Sequence, residues 1–218
     1  MGRQPPFQDY RERLADGMWD LIIADIPWKY HKPGSNAKAM HLVPYPTLEQ
    51  SDYPEMMCQF YAALLPDRNL WCWSDYYNLP ALFSAAEEAG FSYRGLAVVR
   101  RKGVWLGRFL RHNVYFLPAW SKGKAYYNPA VAATVAQDLG AYLITRSHKS
   151  QAVYDRLIAH SLPPGGTWID PFPATHIEEY RGPAGTVLLA PSLWLGATET
   201  SMPPPAMLDD GPLPHEEG

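Results

Sequence analysis

The chain has 218 residues, 47% of them apolar, and 22 prolines, a balance that suits one α/β domain with many turns and excludes wholesale disorder. Its formal charge of −3 argues against a uniformly basic nucleic-acid binder. Residues 197–218, however, hold five of the 22 acidic side chains and no Lys or Arg, which leaves 17 acidic residues against 19 basic ones on the remainder. Residues 1–196 are therefore read as one domain, and 197–218, which include Pro203-Pro204-Pro205, as a disordered acidic tail.

Taken in order, residues 1–17 read as a poorly ordered lead-in or a short helix. Leu21, Ile22 and Ile23 form a short apolar run of the kind buried on both faces of a parallel sheet, and a strand is expected over 19–25. Asp25 falls where that strand ends, and Pro27 stops further pairing because it lacks an N–H. Ligands of open α/β sheets bind beyond the carboxyl ends of the strands, so Asp25, Trp28 and Tyr30 are candidates for the functional crevice. Residues 29–47 follow without periodicity and carry Lys29, Lys32 and Lys38, cations suited to phosphate.

Ser51 or Asp52 can cap a helix running to about Leu65, with Pro54 in its first turn. Asn69–Ser74 predicts the next buried strand, with Trp71 and Trp73 on one face. Leu79–Ala89 is amphipathic, and Gly90 stops it. A strand over 92–100 and another over 113–120 enclose a turn with Arg100, Arg101, Lys102, Arg108 and Arg111, interleaved with Trp105 and Phe109. Cations alternating with aromatics suit a splayed nucleic-acid strand, although a solvated hairpin tip would look the same. Residues 121–147 read as an inserted or permissive connection, with Lys122 and Lys124 at its start. A helix from about 151 to His160, a Pro-Gly turn and a strand ending Asp170-Pro171-Phe172 follow, and a further strand is expected at 186–190.

Asp25-Ile26-Pro27-Trp28 resembles the Asp-Pro-Pro-Trp/Tyr motif of methyltransferases that modify amino groups of adenine or cytosine, and Trp28 leans towards the adenine N6 branch that includes RNA adenosine methylases. Tyr45-Pro46-Thr47-Leu48 resembles the segment that follows this motif in that branch. Lys149 before a helix, then Asp170-Pro171-Phe172 at a strand end, resembles the cofactor half of the permuted (β-class) enzymes. The resemblance implies a Rossmann-like, mostly parallel twisted sheet with flanking helices, in circularly permuted motif order. It also implies S-adenosylmethionine as cofactor, held by Lys149, Asp170, Phe172, Thr175 and His176.

The same resemblance assigns the catalytic clamp to Asp25, Ile26, Pro27 and Trp28. The Asp25 carboxylate and the Ile26 carbonyl would accept the target amino hydrogens, and no metal is required. Nucleic acid would meet Lys29, Tyr30, Lys32, Arg101, Arg108 and Arg111. Two departures stand out: Ile26 replaces the first Pro, which is expected to loosen the loop, and Pro173-Ala174-Thr175-His176 has no glycine where the family has a Gly-rich turn. A catalytically silent nucleic-acid-binding or partner-stabilising subunit is the alternative. No apolar run is long enough to span a membrane, no signal peptide opens the chain, and Cys58 and Cys72 match no metal-site spacing, so a reduced, cytoplasmic protein is expected, as a homodimer or beside a partner subunit.

Overall fold

The structure, a computed structural model, describes residues 6–15, 17–28, 47–101, 113–132, 143–144 and 151–172. The first helix, α1 (Pro6–Ala15), leads into β1 (Trp19–Ala24). Across residues 29–46 the description resumes at a 3-10 turn over Gln50–Asp52, followed by α2 (Tyr53–Ala63) and β2 (Leu64–Cys72). Next come α3 (Leu79–Glu88), β3 (Ser92–Arg101), β4 (Val114–Lys122) and the short α4 (Pro129–Ala132). The last described elements are β5 (Leu143–Ile144), α5 (Gln151–Ser161) and β6 (Trp168–Ile169).

The six strands form one sheet in the order β5-β3-β4-β2-β1-β6. β1 is parallel to both β2 and β6, and β3 is parallel to β5. Among the described strands only β4 is reversed, antiparallel to β2 on one side and β3 on the other. The five other strands therefore direct their carboxyl ends to one edge. On that edge the chain order turns back at β1, since β2 follows on one side and β6, the last strand described, lies on the other. Such a reversal opens a crevice between neighbouring strand ends.

The apolar run predicted for β1 is its cause. Leu21, Ile22, Ile23 and Ala24 are all fully buried, as a strand covered on both faces requires. Met56, Phe60 and Ala63 of α2 and Leu82, Ala85 and Ala86 of α3 are buried at helical spacing. Gly90, at φ +92°, ends α3: its N–H donates to Glu87 O and the Phe91 N–H to Ala86 O, both at 3.0 Å. On α5, Val153, Tyr154, Leu157 and Ile158 face the core. Trp71 and Trp73 point to that helix, as alternate residues of one strand should: the Trp71 indole donates to Ser161 Oγ at 2.9 Å, and Trp73 meets the Tyr154 ring at 6.2 Å.

Several expected boundaries move. The lead-in is a helix, with Tyr10 and Leu14 buried on one side and Arg11 paired to Glu55 of α2. β2 starts at Leu64 rather than Asn69, and the pairing slips between Trp19↔Leu64 and Leu21↔Asn69 to accommodate it. Residues 121–147 are not a bare connection: β4 runs to Lys122, Asn128 Oδ1 accepts from Ala130 N–H at the start of α4, and β5 lies beyond. Lys122 Nζ donates to Tyr61 O and Leu64 O at 2.8 Å each, satisfying carbonyls where α2 ends. The strand expected at 186–190 and the tail at 197–218 lie outside the described residues. No described helix is long and apolar enough to cross a membrane.

Asp20 ties the central strand to both neighbours at the opposite edge. Its Oδ1 accepts from Arg68 Nε of β2 at 2.7 Å, and its Oδ2 from the Thr167 N–H before β6 at 3.0 Å. Both acidic oxygens are engaged in a half-buried place, where hydrogen bonds to charged groups count for more than at an open surface. Asp20→Ala should lower the unfolding free energy by about 1.5–3 kcal/mol, with Asp20→Asn losing less. Urea unfolding followed by tryptophan fluorescence measures this, and an unchanged midpoint in the alanine variant would remove Asp20 from the supports of the sheet.

Candidate active site

The two motif strands singled out in the sequence are neighbours. Leu21 pairs with Trp168 and Ile22 with Ile169, so Asp25 and Asp170 emerge from adjacent parallel strands at the reversal point. Asp25 is half-buried and Asp170 is 6% exposed. Asp170 Oδ1 accepts the Phe172 N–H at 2.9 Å across Pro171, a short side-chain turn that fixes the carboxyl relative to the backbone. Its Oδ2 accepts from the Tyr154 hydroxyl at 2.9 Å, and the backbone of Asp25 contributes a further hydrogen bond.

These three donors favour the charged carboxylate, yet they do not prevail. Burial, reinforced by the charge of Asp25, pushes Asp170 up to about 7. Burial also raises the Tyr154 hydroxyl and the Cys72 thiol, each with Asp170 adding to the effect. All three groups therefore favour their protonated forms beside a second carboxylate. Because the folded value of Asp170 stands above the usual carboxylate value of about 4, the folded chain holds a proton that the unfolded chain releases between about pH 4 and 7. Stability from this group is thus greatest at low pH and declines as pH rises through that window. A cation placed between the two carboxylates would relieve the penalty.

The segment after Asp25 is pinned. Trp28 N–H donates to Ile26 O at 2.9 Å, closing a three-residue turn around Pro27, and Leu48 N–H donates to Pro27 O at 2.7 Å. Trp28 and Leu48 form a parallel bridge there. The Ile26 side chain is 1% exposed within the core. The loosening expected from replacing the first Pro is therefore not found, because buried apolar contact and two hydrogen bonds hold the turn. The Ile26 carbonyl spends one acceptor site on Trp28 and keeps a second. The indole of Trp28 is 3% exposed, so in this structure it packs the core rather than offering a face to a ligand.

At the next strand end, Ser74 exchanges two 2.9 Å backbone hydrogen bonds with Phe116 of β4, while Asp75 Oδ1 accepts from the N–H and the Nδ2 of Asn78 at 2.9 Å each. Burial raises Asp75 despite these donors. Arg100 is exposed at the carboxyl end of β3, and Arg101 pairs there through its backbone with Ile144. The side chain of Arg101, and Arg108 and Arg111 altogether, lie outside the described residues, as do Lys29, Tyr30, Lys32, Lys149, Thr175 and His176. Phe172 is described, packed at 4.9 Å from the Tyr10 ring of α1. Among the described residues no cluster of three or more His, Cys, Asp or Glu is placed to hold a metal.

Tyr154 and Trp73 were missed in the sequence. Tyr154 holds Asp170 through its hydroxyl, and its ring meets that of Trp73. The signal was there: Val153, Tyr154, Leu157 and Ile158 mark a buried helical stripe, and a Tyr in such a stripe needs a partner for its hydroxyl.

No family model matches the chain, and no curated protein matches it. Solved structures do. M1.HpyAVI in complex with S-adenosylmethionine superposes with a TM-score of 0.52 at 15% identity, covering 78% of this chain and 79% of its own. TTHA0409 from Thermus thermophilus, provisionally named a DNA modification methylase, gives 0.50 at 12% identity, covering 75% and 77%. At such identities the likeness speaks for architecture: the chain has the mixed α/β, Rossmann-like methyltransferase fold, with a largely parallel sheet and flanking helices.

Proposed function

We propose that the chain is an S-adenosylmethionine-dependent methyltransferase acting on the exocyclic amino group of adenine in nucleic acid. The observation that carries the reading is the Asp25–Asp170 pair, two acidic groups at the reversal point of a methyltransferase fold. S-adenosylmethionine is cationic at its ammonium and its sulfonium, and when bound it supplies an electrophilic methyl group. Its ammonium fits Asp170, the more buried carboxyl, and its carboxylate is assigned to Lys149. Thr175 and His176 are assigned to the remainder of the cofactor.

Asp25 and the free acceptor site of Ile26 O would hold the two hydrogens of the target amino group. Held so, the nitrogen loses conjugation with its ring and its lone pair becomes a nucleophile. The proton leaves to Asp25 or water once transfer is complete. Orientation and electrostatic complementarity supply most of the rate. Since Trp28 is buried, stacking on the target base is assigned to Tyr30. The permuted order is supported by the chain itself, in which the Asp-Ile-Pro-Trp strand precedes the Asp-Pro-Phe strand it lies beside. Trp28 following Pro27 supports adenine.

One observation favours a catalytically silent subunit: Ile26 O already accepts from Trp28 N–H, halving its capacity in the clamp. Calorimetric titration of the chain with S-adenosylmethionine, with methylation of DNA and RNA read by nucleoside mass spectrometry, separates the two. Asp25→Ala should reduce methyl transfer by at least about 100-fold, the usual scale for a lost transition-state contact, while cofactor affinity stays within a few-fold. Retention of most of the rate would dismiss the clamp.

The same pair sets a pH dependence. A cationic ligand needs Asp170 ionised, so binding must release its proton at any pH below about 7. S-adenosylmethionine affinity should fall as pH drops from 7 to 5.5, approaching about tenfold per pH unit. Asp170→Asn should bind weakly with no such slope, and Tyr154→Phe should shift the slope along the pH axis by removing one donor. A flat profile in the parent chain would place the ammonium elsewhere.

A further inference from the structure

Two large rings stand in the open at the carboxyl end of β2. Tyr76 and Tyr77 are 38% and 46% exposed, and their rings lie against one another with centroids 3.9 Å apart and planes inclined by 36°. Consecutive residues of a turn ordinarily diverge, so this contact is a property of the local backbone. Tyr93, exposed to a similar degree, leans instead on Phe83 of α3.

The turn beneath the rings is fixed from below by buried polar contacts. Asn78, 2% exposed, gives its N–H and Nδ2 to Asp75, and its Oδ1 accepts from the Tyr53 hydroxyl at 2.9 Å and from Gln50 Nε2 at 3.2 Å. Gln50 Nε2 also reaches Tyr77 O at 3.3 Å. The backbone on both sides of the rings is therefore held by a satisfied network, which keeps the pair in place before any ligand arrives.

The place is contiguous with the candidate site. Trp73 N–H donates to Ala24 O, one residue before Asp25, so the ends of β1 and β2 stand level. Gln50 follows two residues after Leu48, which bridges to Trp28. The turn that carries the tyrosine pair thus begins beside the end of β1, with Gln50 tying it to the segment that pairs with Trp28.

We propose that Tyr76 and Tyr77 form a stacking platform for a nucleobase next to the target in the bound strand, a subsite that rests on the nucleic-acid reading of the site. A flat, uncharged π-face on a rigid turn takes any base, because every base has a π-face of its own. A protein partner fits less well. A stable protein interface buries about 800 Å² on each side, whereas a Tyr buries about 150–250 Å², so two rings supply only part of such a patch.

The test uses the full chain, fluorescein-labelled single-stranded DNA of mixed sequence, RNA of the same sequence, and an abasic strand that keeps only sugar and phosphate. Fluorescence anisotropy gives each affinity, and the DNA and RNA arms show which strand the platform serves. Replacing both residues by Ala should weaken binding of a base-bearing strand by roughly 5- to 100-fold. The abasic strand should bind as before, and so should S-adenosylmethionine. The paired Tyr→Phe variant should match the parent, since stacking needs the ring and not the hydroxyl, and it guards against loss through misfolding. An alanine variant that binds base-bearing strands like the parent overturns the platform, as does an equal loss on the abasic strand. A parent that binds S-adenosylmethionine but no strand overturns the platform and leaves the cofactor reading standing. A parent that binds strands through the tyrosines yet takes no cofactor does the reverse.

Discussion

The parallel pairing of β1 with β6 is the constraint from which the rest follows. Register alone brings Asp25 and Asp170 to the same edge, because Leu21 faces Trp168 and Ile22 faces Ile169. Two carboxyl groups forced together in a dry place cannot both stay charged without cost, and the deeper one is raised to about 7. Hydrogen bonds from Tyr154 and Phe172 orient that carboxyl without neutralising it. A cation beside this pair would relieve the penalty.

Around this pair the strand ends are built for fixed geometry. The Asp25–Trp28 turn is closed by its own hydrogen bond and tied to Leu48, Ser74 continues the β2 pairing with β4 at Phe116, and Asp75 and Asn78 secure the start of α3. Each device consumes polar groups that would otherwise be buried without partners. At this edge the half-buried Asp25 and the second acceptor site of Ile26 stand beside the buried Asp170.

The elements with strong local signals were legible in the sequence. β1 announced itself by Leu21–Ile23 and ended at Asp25-Ile26-Pro27, α3 ended at Gly90 because only that residue adopts φ +92° cheaply, and the strands expected over 92–100 and 113–120 pair antiparallel as β3 and β4. The start of β2 was not legible. Pro66 and Asp67, the latter at φ +58°, look like a loop, while Ala63 and Leu64 continue a helical stripe, and it is pairing with β1 and β4 that draws the segment into the sheet. Likewise α1 has few apolar residues, and Tyr10 acquires its role only by meeting Phe60 and Phe172 from distant parts of the chain. In the candidate site, Asp25 and Asp170 were found from motifs. Tyr154 and Trp73 were not, since what makes them matter is a contact across elements.

The tie between Asp20 and Thr167 spans 147 positions of the chain. Closing so long a loop is slow, because its entropy is lost before the contacts that reward it are made. During synthesis β1 can pair with β2 early, but its other edge stays open until β6 has emerged. For most of that time the most apolar strand of the sheet presents unpaired backbone to other nascent chains, a setting that favours misassociation. The half-buried Asp20 at the start of that edge, and Asp25 at its end, place a charge at each limit of the exposed strand. Charges so placed disfavour edge-to-edge pairing with another chain.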